Sequence, residues 1–261
     1  MKLIDLATWL ALGCLPLFIA LDFVYRARRF DTPRFWRLRA LAVTIVAFAL
    51  SFALPMGMAK LLGDRTILDL SGLGTWAGAL TGILVYELCH YWYHRAVHRY
   101  DPLWRALHQM HHSAESLDAW GAYYLAPQDA ALFIAIATAV FGPLLGLSPE
   151  AAAIANLFLT FNAIFQHANI RTPQWLGYII QRPESHGVHH ERGVHGFNYS
   201  DLPLWDIVFG TFRNPATFDA KIGFYDGAST RVLEMLVGKD VTVPPAGEPA
   251  SRGEEGLARV A

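Results

Sequence analysis

The chain has 261 residues, enough for one large domain or two small ones. It is 54% hydrophobic and only 16% charged, against roughly 25% charged residues in an ordinary soluble domain. A net charge of −1 offers no basic footprint for nucleic acid. Cys14 and Cys89 both lie in apolar runs far apart in sequence, so no disulfide framework is indicated.

Long apolar stretches alternating with short polar ones predict an all-α fold: an integral membrane helical bundle of about four or five membrane segments, with a cytoplasmic histidine-rich helical cap. The first span, residues 6–25, carries Asp22 near its end. It lacks the basic start and small-residue cleavage site of a signal peptide and is read as retained. The second is 41–62. A third begins near residue 73 and runs through TWAGALTGILVYELCHYWYH, turning polar on one face as it ends. Residues 129–147 and 151–166 then form a hairpin around GLSPE, where Pro149 and Glu150 suit a helix start. That hairpin either spans fully or dips in and returns.

Orientation follows from the basic loops. Arg26, Arg28, Arg29, Arg34, Arg37 and Arg39 lie between the first two spans, whereas the next loop holds Lys60 and Arg65 against Asp64 and Asp69. The Arg-rich loop is therefore expected in the cytoplasm, at an inner membrane if the source is bacterial and at the endoplasmic reticulum if eukaryotic. Counting crossings from there brings every histidine to that same face. The chain divides into 1–72 (membrane helices and Arg-rich loop), 73–212 (the histidine-bearing unit), 213–238 (a cytoplasmic segment) and 239–261. This last stretch is rich in Pro, Gly and charge and is expected to be disordered.

All 11 histidines fall between His90 and His195. HQMHH (His108, His111, His112) and HGVHH (His186, His189, His190) share the spacing i, i+3, i+4, which puts three rings on one face of a helical turn. His94 and His98 are i, i+4 at the end of a span, and His167 closes the hairpin. Neutral imidazole is the commonest biological metal ligand. Nine rings gathered at one membrane face exceed the four ligands of a structural zinc site. They suit two ions with four or five nitrogens each, and so chemistry with an open position for water or dioxygen.

The ordered run E-x-x-H-Y-W-x-H-R-x-x-H (Glu87 to His98), LWRALHQMHHS, FQHANI and PESHGVHH, closed by FNYSDLPLWDIVFGTF, resembles the sterol desaturase and fatty acid hydroxylase superfamily over roughly residues 75–212. The resemblance implies a membrane oxidoreductase in which His94, His98, His108, His111, His112, His167, His186, His189 and His190 bind two Fe ions as a non-haem di-iron centre. It further implies dioxygen as co-substrate, a hydrophobic lipid-like substrate that is hydroxylated or desaturated, and an external electron donor such as a ferredoxin, cytochrome or reductase. Glu87, Asp206, Asn198 and Glu184 are candidates to orient the rings. Glu87 stands where the family often has Asp. His90 is a candidate tenth ligand or supporting group, and His195 is the weakest candidate.

The stretch DAWGAYYLAP departs from the family pattern. Tyr124 and Ala126 replace a common Arg and His, Asp118 stands where Asn is common, and Pro127 is retained. These positions are expected to line the pocket beside the metals and to bear on substrate choice. Two alternatives stay open: a metal transport or storage protein, whose sites usually lie near mid-membrane, and a zinc-containing non-oxygenase of the same fold, because ligand type alone does not select Fe²⁺ over Zn²⁺.

Overall fold

The computed structural model of the chain describes residues 1–63 and 65–245. Its order is α1 (Leu3–Val24), α2 (Trp36–Leu62), α3 (Gly74–Arg99), α4 (Asp101–Leu103), α5 (Gln109–His112), α6 (Pro127–Ala139), α7 (Pro149–Phe165), α8 (Pro183–His190), α9 (Pro203–Phe209) and α10 (Val232–Leu236), with short 3₁₀ turns between. No β-strand occurs among the described residues, only one antiparallel bridge between Glu191 and Ile222.

Three helices are long and apolar enough to cross a membrane: α1, α2, and the run Pro127–Leu144 made of α6 and the π turn Val140–Leu144. Backbone polar groups in hydrocarbon must be satisfied within the segment, so an uninterrupted apolar run can persist there only as helix. In α1 and α2 only 17% and 11% of the apolar window is buried within the protein, so most of that surface is left to lipid. Of the other expected segments, α3 turns polar in its second half, with Glu87, His90, His94, Arg95 and His98. The remaining one, α7, has 17 residues.

The centre of the bundle is the α3–α7 contact, flanked by α1 against α7 and α2 against α6. Close approach depends on glycine in the sequence GALTG. A Cβ on Gly78 would lie 2.9 Å from the Ala151 Cβ, and one on Gly82 would lie 2.7 Å from Leu147 Cδ1. Small residues at such crossings let helix backbones approach where no hydrophobic effect drives association.

Asp22, buried at the end of α1, ties down two loops that flank the histidines. Its carboxylate accepts from the backbone N–H of Ala119 and from that of Asn169, both at 2.6 Å. The start of the expected disordered tail is also held, contrary to the sequence reading. Gln109 donates to the Lys239 carbonyl (2.8 Å) and accepts from Val241 N–H (3.2 Å), and Val241 is fully buried. Residues 246–261 of that expectation lie outside the described residues.

Replacing Asp22 by Ala strands two buried amides. It should lower stability in detergent micelles by about 2–4 kcal/mol, the usual cost of losing charge-assisted hydrogen bonds at a buried site. A denaturation midpoint equal to that of the unaltered protein would show that these bonds do not anchor the loops.

Candidate metal centre

Four elements deliver histidines to one end of the bundle. The last turns of α3 carry His94 and His98, and α5 carries His111 and His112. His167 follows α7, and α8 presents His186, His189 and His190. Just ahead of α5 the chain forms a π turn, Trp104–His108, in which Gln109 N–H reaches back to the Trp104 carbonyl. Such one-residue insertions into a helix recur at functional sites, where they re-aim side chains. Here the turn sets His108 against His94.

The nine histidines singled out in the sequence come together in two groups. His94, His98, His108, His112 and His189 form one, and His111, His167, His186 and His190 the other, with ligand atoms within 4.8 Å of one another in each. The groups touch: His112 stacks on His190 with ring centroids 4.2 Å apart.

The hydrogen bonds of four rings define their tautomers. His94 Nδ1–H donates to the Tyr199 carbonyl (2.6 Å), His108 Nδ1–H to Asp129 (2.7 Å), His167 Nδ1–H to the Ala163 carbonyl (2.7 Å) and His189 Nδ1–H to the Phe197 carbonyl (2.8 Å). Each neutral ring therefore keeps an unprotonated Nε2. Yet His94 Nε2 and His108 Nε2 lie 2.9 Å apart, two acceptors facing each other. Further Nε2 pairs, His111–His167, His167–His186 and His186–His190, lie at 3.1 Å. Metal–nitrogen bonds of about 2.0–2.1 Å place neighbouring ligand atoms roughly 3 Å apart, so this spacing is that of a coordination shell. The buried His189 Nε2 and both ring nitrogens of His98 and His112 have no hydrogen-bond partner. The donor set fits metal ions.

Asp129 is the orienting residue that the sequence reading passed over. It is fully buried, and it also accepts from the Tyr93 hydroxyl (2.6 Å). The available signal was a carboxylate in the first turn of an otherwise apolar segment. Asp206 acts at one remove, accepting from the N–H of Tyr199 (2.8 Å) and Ser200 (2.9 Å) and from the Thr211 hydroxyl (2.7 Å), which holds the loop whose carbonyl meets His94. Asn198 adopts a left-handed backbone (φ 57°) and bonds to the Ser185 and Arg213 backbones, placing the Phe197 carbonyl beside His189. Glu184 instead accepts from Thr172 and pairs with the buried Arg182 (2.8 Å), and so anchors α8 without touching an imidazole. Glu87 accepts from the N–H of Asp201 and Leu202, and His90 stacks on His94 with ring centroids 5.4 Å apart. His195 lies outside both groups, its ring 5.0 Å from Trp104.

The departures after the second box are spent on packing. The Tyr124 hydroxyl donates to the Ser229 carbonyl (2.6 Å), and its ring meets Trp36 edge-on. Asp118 accepts from Trp36 Nε1 (3.2 Å). These side chains join the core between α2 and the C-terminal segment, correcting the expectation that they line the pocket.

Burial, reinforced by neighbouring rings, holds His111, His112, His186 and His190 well below the ordinary imidazole value. Burial does the same for His189 and takes His167 down to about 4. Asp201 is pushed up to about 7 by burial and then by the Glu87 carboxylate.

A helical membrane bundle ending in nine gathered imidazoles, eight of them buried and His98 half-buried, defines the class, that of the sterol desaturase and fatty acid hydroxylase superfamily. The fatty acid hydroxylase family profile matches residues 79–211, just over half of the chain, and the chain belongs to that family. Sphinganine C4-monooxygenase 1 of Arabidopsis thaliana is 26% identical over 58% of this chain and 60% of its own length. The alkylglycerol monooxygenase of Danio rerio is 32% identical over 53% of this chain and 30% of its own. A very-long-chain aldehyde decarbonylase of Oryza sativa subsp. indica is 27% identical over 51% and 53%. The chain thus spans 60% or less of the length of these relatives. No solved structure matches the chain.

Asp129→Ala removes the acceptor that orients His108, and metal affinity should fall about 10–100-fold in a chelator competition. Unchanged affinity would assign Asp129 to packing alone. The depressed imidazoles predict a pH dependence of the metal-free protein. Below the ordinary imidazole value of about 6.5 the unfolded chain binds protons that the folded chain refuses, so stability is lost as pH falls. Unfolding of the chelated protein at pH 7.5 and pH 5.5 checks this, and equal midpoints would contradict it.

Proposed function

We propose that the chain is a membrane-bound non-haem di-iron oxygenase that inserts oxygen into, or desaturates, a lipid-like substrate. His94, His98, His108, His112 and His189 would hold one iron, and His111, His167, His186 and His190 the other. The observation that carries the reading is the 2.9 Å approach of two lone-pair nitrogens, His94 Nε2 and His108 Nε2, beside three further Nε2 contacts. An uncharged imidazole shell leaves the centre its full positive charge, unlike the carboxylate-rich sites of soluble di-iron bundles.

Iron held by these rings would supply electrons to dioxygen and the oxidising power to break an unactivated C–H bond. The chain's own residues do the rest. The carbonyls of Tyr199, Phe197 and Ala163 and the Asp129 carboxylate hold four Nδ1 protons, so that the Nε2 lone pairs of those four rings face inward. The burial of the rings excludes bulk water from the centre. The lipid-facing surfaces of α1 and α2 suit a substrate that arrives through the bilayer, and the relatives named as sphinganine and alkylglycerol monooxygenases support a lipid. The Arg-rich loop supports a centre on the cytoplasmic face, where a separate ferredoxin, cytochrome or reductase would deliver electrons.

The test joins metal analysis of anaerobically purified protein to lipid profiles. Iron near two per chain is expected, together with a hydroxylated or unsaturated lipid that disappears in a His111→Ala strain and in cells grown without dioxygen. Stoichiometric zinc with an unchanged lipid profile would sink the oxygenase reading.

A further inference from the structure

A third group of buried polar side chains lies beside the histidine centre, outside its two groups of rings. Glu87 is 0% exposed, Asp201 5% and His90 7%, and their ligand atoms lie within 4.8 Å of one another. Glu87 and His90 share one face of α3 at i, i+3. Asp201 arrives from the loop that Asp206 clamps, and it accepts from Gln166 Nε2 (2.8 Å).

The group is electrostatically incomplete. Glu87 Oε2 is occupied by the N–H of Asp201 and Leu202, but Glu87 Oε1 has no partner. His90 Nδ1 is also without a hydrogen bond, and stands 3.7 Å from Glu87 Oε2. Among the described residues no lysine or arginine forms an ion pair with either carboxylate. Two buried carboxylates with one imidazole between them are costly unless a cation neutralises them.

We propose that Glu87, His90 and Asp201 form a separate mononuclear site for a divalent transition-metal ion, bound through two carboxylate oxygens and one imidazole nitrogen. A divalent ion displaces the proton of Asp201 and balances the two carboxylates, and it engages the two atoms that lack partners. The His90 Nδ1–Glu87 Oε2 distance of 3.7 Å exceeds the roughly 3 Å between neighbouring ligands of a loaded shell, so the side chains close on the ion when it binds. The donor set differs from the all-imidazole groups: carboxylate oxygens shift preference toward harder ions such as Mn²⁺ and Fe²⁺. Waters complete the coordination, as three protein ligands leave open positions. His90 stacks on His94, and Glu87 holds the loop whose Tyr199 carbonyl meets His94, so this ion braces one ring of the larger centre.

The test is a count of ions that does not depend on what the nine imidazoles hold. Full-length protein in detergent is stripped with chelator, reloaded anaerobically with Mn²⁺ and desalted, and manganese per chain is measured for the unaltered protein, His90→Gln and Asp201→Asn. Each variant is expected to hold one ion fewer per chain than the unaltered protein. Equal ion counts in the three proteins would overturn the proposal. So would a loss of more than one ion per chain from either variant, because a separate site gives up one ion and leaves the imidazole groups as they were. Because the count is a difference, the di-iron reading can fail while this one stands, and the reverse.

Discussion

The structure turns on one electrostatic constraint: the neutral imidazoles of His94 and His108, whose lone pairs face each other 2.9 Å apart in a place water does not reach. Two acceptors at that distance repel, and an unpartnered buried acceptor costs free energy besides. Both penalties disappear when a cation sits between the nitrogens. The Tyr199 carbonyl and the Asp129 carboxylate that take the two Nδ1 protons make the arrangement possible, because they leave neither Nε2 a proton with which to satisfy its neighbour. The same burial that favours neutral rings readies them to bind metal, since only a deprotonated ring coordinates.

The rest of the fold maintains that constraint. Apolar helices α1 and α2 turn most of their surface to lipid, while glycines in α3 bring it against α7 at the centre of the bundle. Polar ties then gather the loops at the histidine end. Asp22 reaches two of them, Asp206 organises the segment around Tyr199, and Asn198 accepts a left-handed backbone to set the Phe197 carbonyl. Carboxylates thus act one step from the imidazoles rather than among them, unlike soluble di-iron bundles where carboxylates bind directly.

The family resemblance and the geometry coincide over the same stretch, residues 79–211. Outside it the chain contributes scaffold. Gln109, between two histidines, fastens the segment at Lys239 and Val241, so the C-terminal part closes over α5. Tyr124 and Asp118, which depart from the family pattern, contribute to this packing through Ser229 and Trp36. Their side chains carry stability.

Hydropathy and spacing determine a good deal without tertiary structure, because both are local. The apolar runs, the helix start at Pro149, and the i, i+3, i+4 histidine patterns are legible from neighbouring residues alone, and so is the set of nine rings that gathers. What only the tertiary structure decided is the partnering. Tyr199 stands 105 positions from His94 and Asp129 stands 21 from His108, and no local pattern connects such pairs. The division of the rings is equally non-local. His111 and His112 are adjacent in sequence yet enter different groups, as do His189 and His190. Successive residues on a helix point about 100° apart, so HQMHH and HGVHH each straddle both groups while His94 and His98 enter the same one, and a list of spacings cannot assign the rings until the helices are packed.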